Sequence, residues 1–110
     1  NPYSALSSLK LLKETAVDGS KLWLVTPGMI ELGAEQFSLN VAFAEEASDI
    51  VDGVFIVGLT NKRALKLGFI DSEVETYYVD KRDDAVKILD SFVNRNDVVL
   101  FENDLPDHYP

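Results

Sequence analysis

The chain has 110 residues, 46% of them apolar and 26% charged, which is the composition of one folded domain rather than of a disordered segment. A chain of this length buries roughly two-thirds of its unfolded surface, enough for one core. Ten Lys and Arg stand against 19 Asp and Glu, a net charge of −9 that repels phosphate backbones, so no nucleic-acid partner is expected. There is no cysteine, hence no disulfide framework and no thiolate metal site. No apolar run approaches the roughly 18 residues of a membrane span, and the first residues lack a signal-peptide pattern. The chain opens on Asn1 rather than Met, so a longer polypeptide is expected.

Helix-like and strand-like runs alternate along the chain. The first helix is predicted over about Pro2 to Val17, with Leu6, Leu9, Leu12 and Ala16 on one stripe, Asn1 as N-cap and Pro2 at the first helical position. Asp18-Gly19 ends it. Lys21 to Thr26 is a strand, continuously apolar from Leu22 to Val25 as when both faces are covered. Pro27-Gly28 stops it, Gly28 serving a turn and Gly33 a tight approach to the next helix. That helix is predicted over about Gln36 to Val51, with Phe43, Ala47, Ile50 and Val51 inward and Glu45, Glu46 and Asp49 in water. Asp52-Gly53 reads as a turn and Val54 to Val57 as a buried strand. A short helix follows over about Asn61 to Leu67, with Gly68 as its stop. Thr76 to Val79 is the third strand. The last helix spans about Lys81 to Asn94, with Ala85, Val86, Leu89, Phe92 and Val93 inward. Asp80 and Asp83 have capping-box spacing at its start. Val98 to Phe101 is the fourth strand, and the tail from Glu102 to Pro110 reads as irregular.

This order is that of βα units, so the expected fold is α/β, a three-layer Rossmann-like domain with a mainly parallel sheet between helices. Right-handed crossovers bring every loop leaving a strand's carboxyl end to one rim, where open α/β sheets bind ligands. The rim loops are Thr26 to Gly33, Gly58 to Arg63, Asp80 to Asp83 and Glu102 to Asp107. Neither phosphate-loop pattern, G-x-x-x-x-G-K-[ST] nor G-x-G-x-x-G, is present. His108, the one histidine, has no nucleophile beside it, and no elbow surrounds Ser4, Ser7 or Ser8. No catalytic residue and no metal ligand is expected in this chain. Asn61, Lys62 and Arg63 form the densest positive cluster on the rim, where a helix start and a guanidinium together suit a carboxylate or phosphate. Lys81 and Arg82 repeat that arrangement more weakly. Glu102, Asn103, Asp104 and Asp107 also leave a strand on this rim.

The run Pro27-Gly28-Met29-Ile30-Glu31-Leu32-Gly33 resembles the Gly-Asp-Met-x-Glu-Leu-Gly segment of the Mur ligases, above all the branch that adds D-alanyl-D-alanine to a UDP-muramyl tripeptide. Asn1-Pro2 looks like the close of the Asp-x-x-x-Asn-x-Asn-Pro segment opening that family's C-terminal domain. Asp52 to Gly58 resembles its next strand and glycine, and Leu100 to Tyr109 an acidic close found in one branch. The sequence departs from the family at Pro27-Gly28, where Gly-Asp is usual, and at Glu102-Asn103-Asp104, where many members carry Lys-Gly-Ser.

The resemblance implies the amine-substrate-binding domain of a three-domain, ADP-forming amide ligase of peptidoglycan synthesis in the bacterial cytoplasm. ATP and Mg2+ would be held by the central ATPase domain of the same polypeptide, outside this chain, and the first strand of the domain would precede Asn1. The residues facing substrate or nucleotide would be Asn1, Glu31, Asn61, Lys62, Arg63, Glu102, Asn103 and Asp104. Expected partners are a small peptide substrate and the central domain, without membrane insertion. The alternatives are the same domain of another Mur-type or folylpolyglutamate-type ligase, or a stand-alone α/β binding module. A response-regulator-like or flavodoxin-like domain fits less well, since it wants an acidic cluster where this chain has Pro27-Gly28-Met29.

Overall fold

The structure, a computed structural model, describes residues 2–103, with side chains from Ser4 onward. Helix α1 (Pro2–Thr15) precedes strand β1 (Leu22–Thr26); one 3-10 turn (Gly33–Glu35) leads into α2 (Gln36–Ala47), and β2 (Gly53–Val57), α3 (Lys62–Phe69), β3 (Glu75–Val79), α4 (Arg82–Asp90) and β4 (Val98–Phe101) follow. The strands form one parallel sheet of order β3-β2-β1-β4. The chain walks outward from β1 to β3, then crosses back over the sheet to place β4 on the far side of β1. Right-handed crossovers put helices for opposite walking directions on opposite faces. Accordingly α1, α2 and α3 cover one face, where Leu6, Leu9, Phe43, Ala47, Leu65 and Phe69 pack on Leu22, Leu24, Val54 and Ile56. Helix α4 covers the other, where Ala85 and Leu89 pack on Trp23, Val25 and Phe55. The result is the three-layer Rossmann-like α/β arrangement.

Every residue of β1 is buried, as its continuous apolar run requires, whereas the outer strands β3 and β4 are half-buried to exposed. The face under α4 is aromatic. The Trp23 ring meets Phe92 edge-on at 5.2 Å between centroids, and Phe55 stacks on Tyr77 at 4.8 Å.

Several local expectations change. Helix α2 ends at Ala47 rather than near Val51, because Ser48 turns its hydroxyl onto the Glu45 carbonyl at 2.6 Å and the chain continues as a string of turns. Helix α4 ends at Asp90 in the same way, with the Ser91 hydroxyl on the Ile88 carbonyl at 2.6 Å. The Asp80–Asp83 capping box does not form. Lys81 occupies the N-cap without a side-chain cap bond, and Asp83 and Asp84 lie in the first turn, where their charges suit the helix dipole.

Two glycines serve packing rather than turning. Gly68 lies inside α3 instead of ending it, and a Cβ there would come within 2.4 Å of the Ala44 Cβ on α2. Gly53 is the first residue of β2, paired with Trp23, and a Cβ there would stand 2.0 Å from the indole ring.

At the amino ends of the strands, carboxylates close the sheet. Asp52 accepts from the Leu22 N–H at 2.8 Å, and Asp97 accepts from the Lys21 and Asn94 N–H groups, each at 2.9 Å. Burial alone would raise the Asp97 pKa, but these backbone donors outweigh it and hold the carboxyl below its ordinary 3.8. A carboxyl depressed in the folded state stabilises fully above its unfolded value and loses that contribution as pH falls through the folded one. Urea midpoints of the native chain are therefore expected to fall below pH 3.8 more steeply than those of Asp97→Asn, whose midpoint is already lower at neutral pH.

Candidate functional site at the carboxyl rim

The parallel sheet brings the loops after β1 and β2 side by side, and a buried amide cluster locks them together. Asn61, at the start of α3, donates from Nδ2 to the carbonyls of Pro27 at 2.9 Å and Met29 at 3.0 Å. Its Oδ1 accepts from Gln36 Nε2 at 2.8 Å and Asn40 Nδ2 at 3.3 Å. Asn40 closes the ring, accepting from the Met29 N–H at 2.8 Å and donating to the Met29 carbonyl at 3.0 Å. Gln36 accepts from the Leu32 N–H at 3.1 Å and donates to the Met29 carbonyl at 2.5 Å. Thr26, buried at the end of β1, accepts from the Gly28 N–H at 3.0 Å. The loop backbone therefore has its polar groups satisfied from three sides although much of it lies out of water.

This packing explains Gly28. Its φ is +79°, and a Cβ would stand 2.6 Å from Asn40 Oδ1 and 2.8 Å from Asn61 Nδ2, so no side chain fits where the Mur-type segment has Asp. Glu31 lies further along the same loop. It is exposed and left-handed, with φ +63°, a conformation that costs a non-glycine residue about 1–2 kcal/mol. Asn103, after β4, is left-handed as well, with φ +57°. Among the described residues, both left-handed non-glycine residues thus stand on the carboxyl rim, where backbone strain accompanies function more often than it does elsewhere.

The residues expected to face a ligand divide. Asn61 does not face solvent. It is 3% exposed, and both atoms of its amide group are committed to the loop, so it is an anchor. Lys62 lies over the Tyr78 ring, its ammonium 5.0 Å from the centroid. Arg63 is exposed in the first turn of α3 and, like Glu31, makes no ion pair among the described residues. Glu102 is half-buried and continues the β4 ladder through its N–H to the Val25 carbonyl at 3.0 Å. The Asn103 Nδ2 is buried and without a partner among the described residues. Asn1, Asp104 and His108 lie outside the described residues. Arg82 stands over the Phe101 ring, its guanidinium carbon 5.8 Å from the centroid.

Gln36 and Asn40 escaped the sequence reading, which treated α2 only for its apolar stripe. Their signal was present: two amides four residues apart share a helix face, directly after a strand loop.

A cavity of about 500 Å³ opens at the opposite edge of the sheet, among Glu45, Asp49, Asp71 and Glu73 at the carboxyl ends of α2 and α3. Its carboxylates and helix ends repel anions. Among the described residues, no three His, Cys, Asp or Glu are grouped to hold a metal, and no helix is long and apolar enough to cross a membrane. Compared with known proteins, the chain matches no family model and no curated sequence.

Proposed function

We propose that the chain is the amine-presenting C-terminal domain of an ATP-dependent, ADP-forming amide ligase of the Mur type, working in the bacterial cytoplasm on D-alanyl-D-alanine and a UDP-muramyl tripeptide. One observation carries this reading. The loop with the Mur-like Met-x-Glu-Leu-Gly run stands on the carboxyl rim of a parallel sheet, is fixed by the amides of Gln36, Asn40 and Asn61, and offers the Glu31 carboxylate to solvent. The same Asn61 that anchors this loop leads directly to Arg63.

A dipeptide zwitterion matches that pair of charges. Its carboxylate suits the Arg63 guanidinium and the start of α3, and its ammonium suits Glu31. In such a ligase the amine nitrogen, once deprotonated, attacks the carbonyl carbon of an acyl phosphate, and inorganic phosphate leaves. Rigid presentation of the amine lowers the entropic part of that barrier. ATP and Mg2+ belong to the central domain in this reading, because the chain has no phosphate-loop pattern.

The test uses the full-length ligase. Arg63→Ala is expected to raise KM for D-alanyl-D-alanine about tenfold, the equivalent of about 1.4 kcal/mol, as for loss of one charged hydrogen bond. An unchanged KM removes Arg63 from the site. The isolated 110 residues are expected to release no ADP from ATP with all substrates present, and release would overturn the reading.

A further inference from the structure

The outer edge of β3 carries a second surface, independent of the rim and of the ligase reading. Among the described residues no strand lies beyond β3. Its inner side is defined by Glu75 N–H to the Asp52 carbonyl and Gly58 N–H to the Val79 carbonyl. Residues of a strand alternate in direction, so Glu75, Tyr77 and Val79 bond to β2. The N–H and C=O groups of Thr76 and Tyr78 point outward. On the α3 side of this edge lies a groove of about 200 Å³ lined by Lys66, Ile70, Val74, Thr76 and Tyr78. Ile70 and Tyr78 are exposed there, as is Leu67 on α3.

The edge is also polar from end to end. Asp71 and Glu73 stand where β3 begins, next to Glu75, which is paired with Lys21 at 3.6 Å; Lys62 and Lys81 stand where it ends, beside Asp80, and Lys66 lies along the groove between.

We infer that a second copy of this chain pairs with this edge, antiparallel, about a twofold axis at Tyr77, to make one continuous sheet from two four-stranded ones. In that register Thr76 stands opposite the partner's Tyr78. The two residues exchange both backbone hydrogen bonds, and the twofold repeats the exchange, so all the outward groups of Thr76 and Tyr78 are satisfied. Thr76 and Tyr78 both face α3, so each Tyr78 ring enters the other copy's groove beside Thr76 and Ile70. Antiparallel pairing sets the acidic end of one edge against the basic end of the other. A parallel arrangement would align like charges, and the twofold excludes it. Charge complementarity and self-fit of one aromatic into one groove thus select a second copy over an unrelated strand.

Sedimentation velocity over a wide range of concentration tests this. The chain is expected to shift from the mass of one copy to twice that mass. Thr76→Pro is expected to abolish the shift while keeping the fold, because the N–H it removes makes no bond to β2. Hydrogen exchange on the unmodified chain gives a readout that needs no variant. The Thr76 and Tyr78 amides are expected to slow as concentration rises, while those of Tyr77 and Val79 stay protected throughout. A single-copy mass at every concentration, or Thr76 and Tyr78 exchange that ignores concentration, overturns the inference. So does a dimer that Thr76→Pro leaves intact, or protection of this edge only when an unrelated strand-forming peptide is added.

Discussion

Asn61→Leu is expected to lower the unfolding free energy by about 3 kcal/mol and to loosen the rim loop before the rest of the domain unfolds. Leucine keeps the branched outline of asparagine, with bulkier methyl groups, but has no polar atoms. It leaves the Pro27 carbonyl without its donor in a buried setting and takes an acceptor from both Gln36 and Asn40. Each buried polar group left unpaired costs about 1–3 kcal/mol. The Met29 carbonyl still receives Asn40 and Gln36, which bounds the loss. Urea denaturation measures the magnitude, and hydrogen exchange at Met29 and Leu32 locates it. An unchanged midpoint would mean that water replaces the asparagine without penalty and that the loop is not held by this cluster.

Gly53→Ala is expected to have a comparable effect through packing alone. The added methyl would stand 2.0 Å from one indole carbon of Trp23 and 2.3 Å from another, and Trp23 is 1% exposed among Phe55, Tyr77 and Phe92. The ring has no room to withdraw, so the strand pairing has to shift. Overpacking of this kind costs about 1–3 kcal/mol and sometimes more. Trp23→Leu costs a similar amount by leaving a cavity. The double variant is expected to be far less destabilised than the sum of the two, because leucine vacates the space that the new methyl needs. A thermodynamic cycle from chemical denaturation measures that coupling, and strict additivity would contradict the contact.

The architecture was legible because its signals are local and repeated. The apolar run Leu22 to Val25 has no polar side, which only a strand covered on both faces tolerates, and β4 falls on the residues its pattern indicates. Helix ends were less legible, since Ser48 and Ser91 end α2 and α4 by bonding back to the preceding turn, and serine is equally common inside helices. Glycines were misread for a related reason. Gly53 and Gly68 look like turn residues in the sequence, but each is small because a side chain from a distant element, Trp23 or Ala44, occupies the space. The site was half legible. Parallel crossovers place the rim, and that followed from the alternation of elements. Asn61 faces inward because Pro27 and Met29 present bare carbonyls to it, a three-dimensional circumstance that no spacing along the chain records. Glu31 and Arg63 are exposed, as charged side chains on a surface loop and a helix start usually are.

The most direct test of the rim as the working surface is an NMR titration of the chain with D-alanyl-D-alanine, following every backbone amide. Shift changes are expected in the Glu31 loop and from Gly58 to Arg63, and Arg63→Ala is expected to weaken them about tenfold, as for loss of one charged hydrogen bond. Changes confined to the acidic cavity of Glu45, Asp49, Asp71 and Glu73, or none up to the solubility limit of the dipeptide, would contradict it.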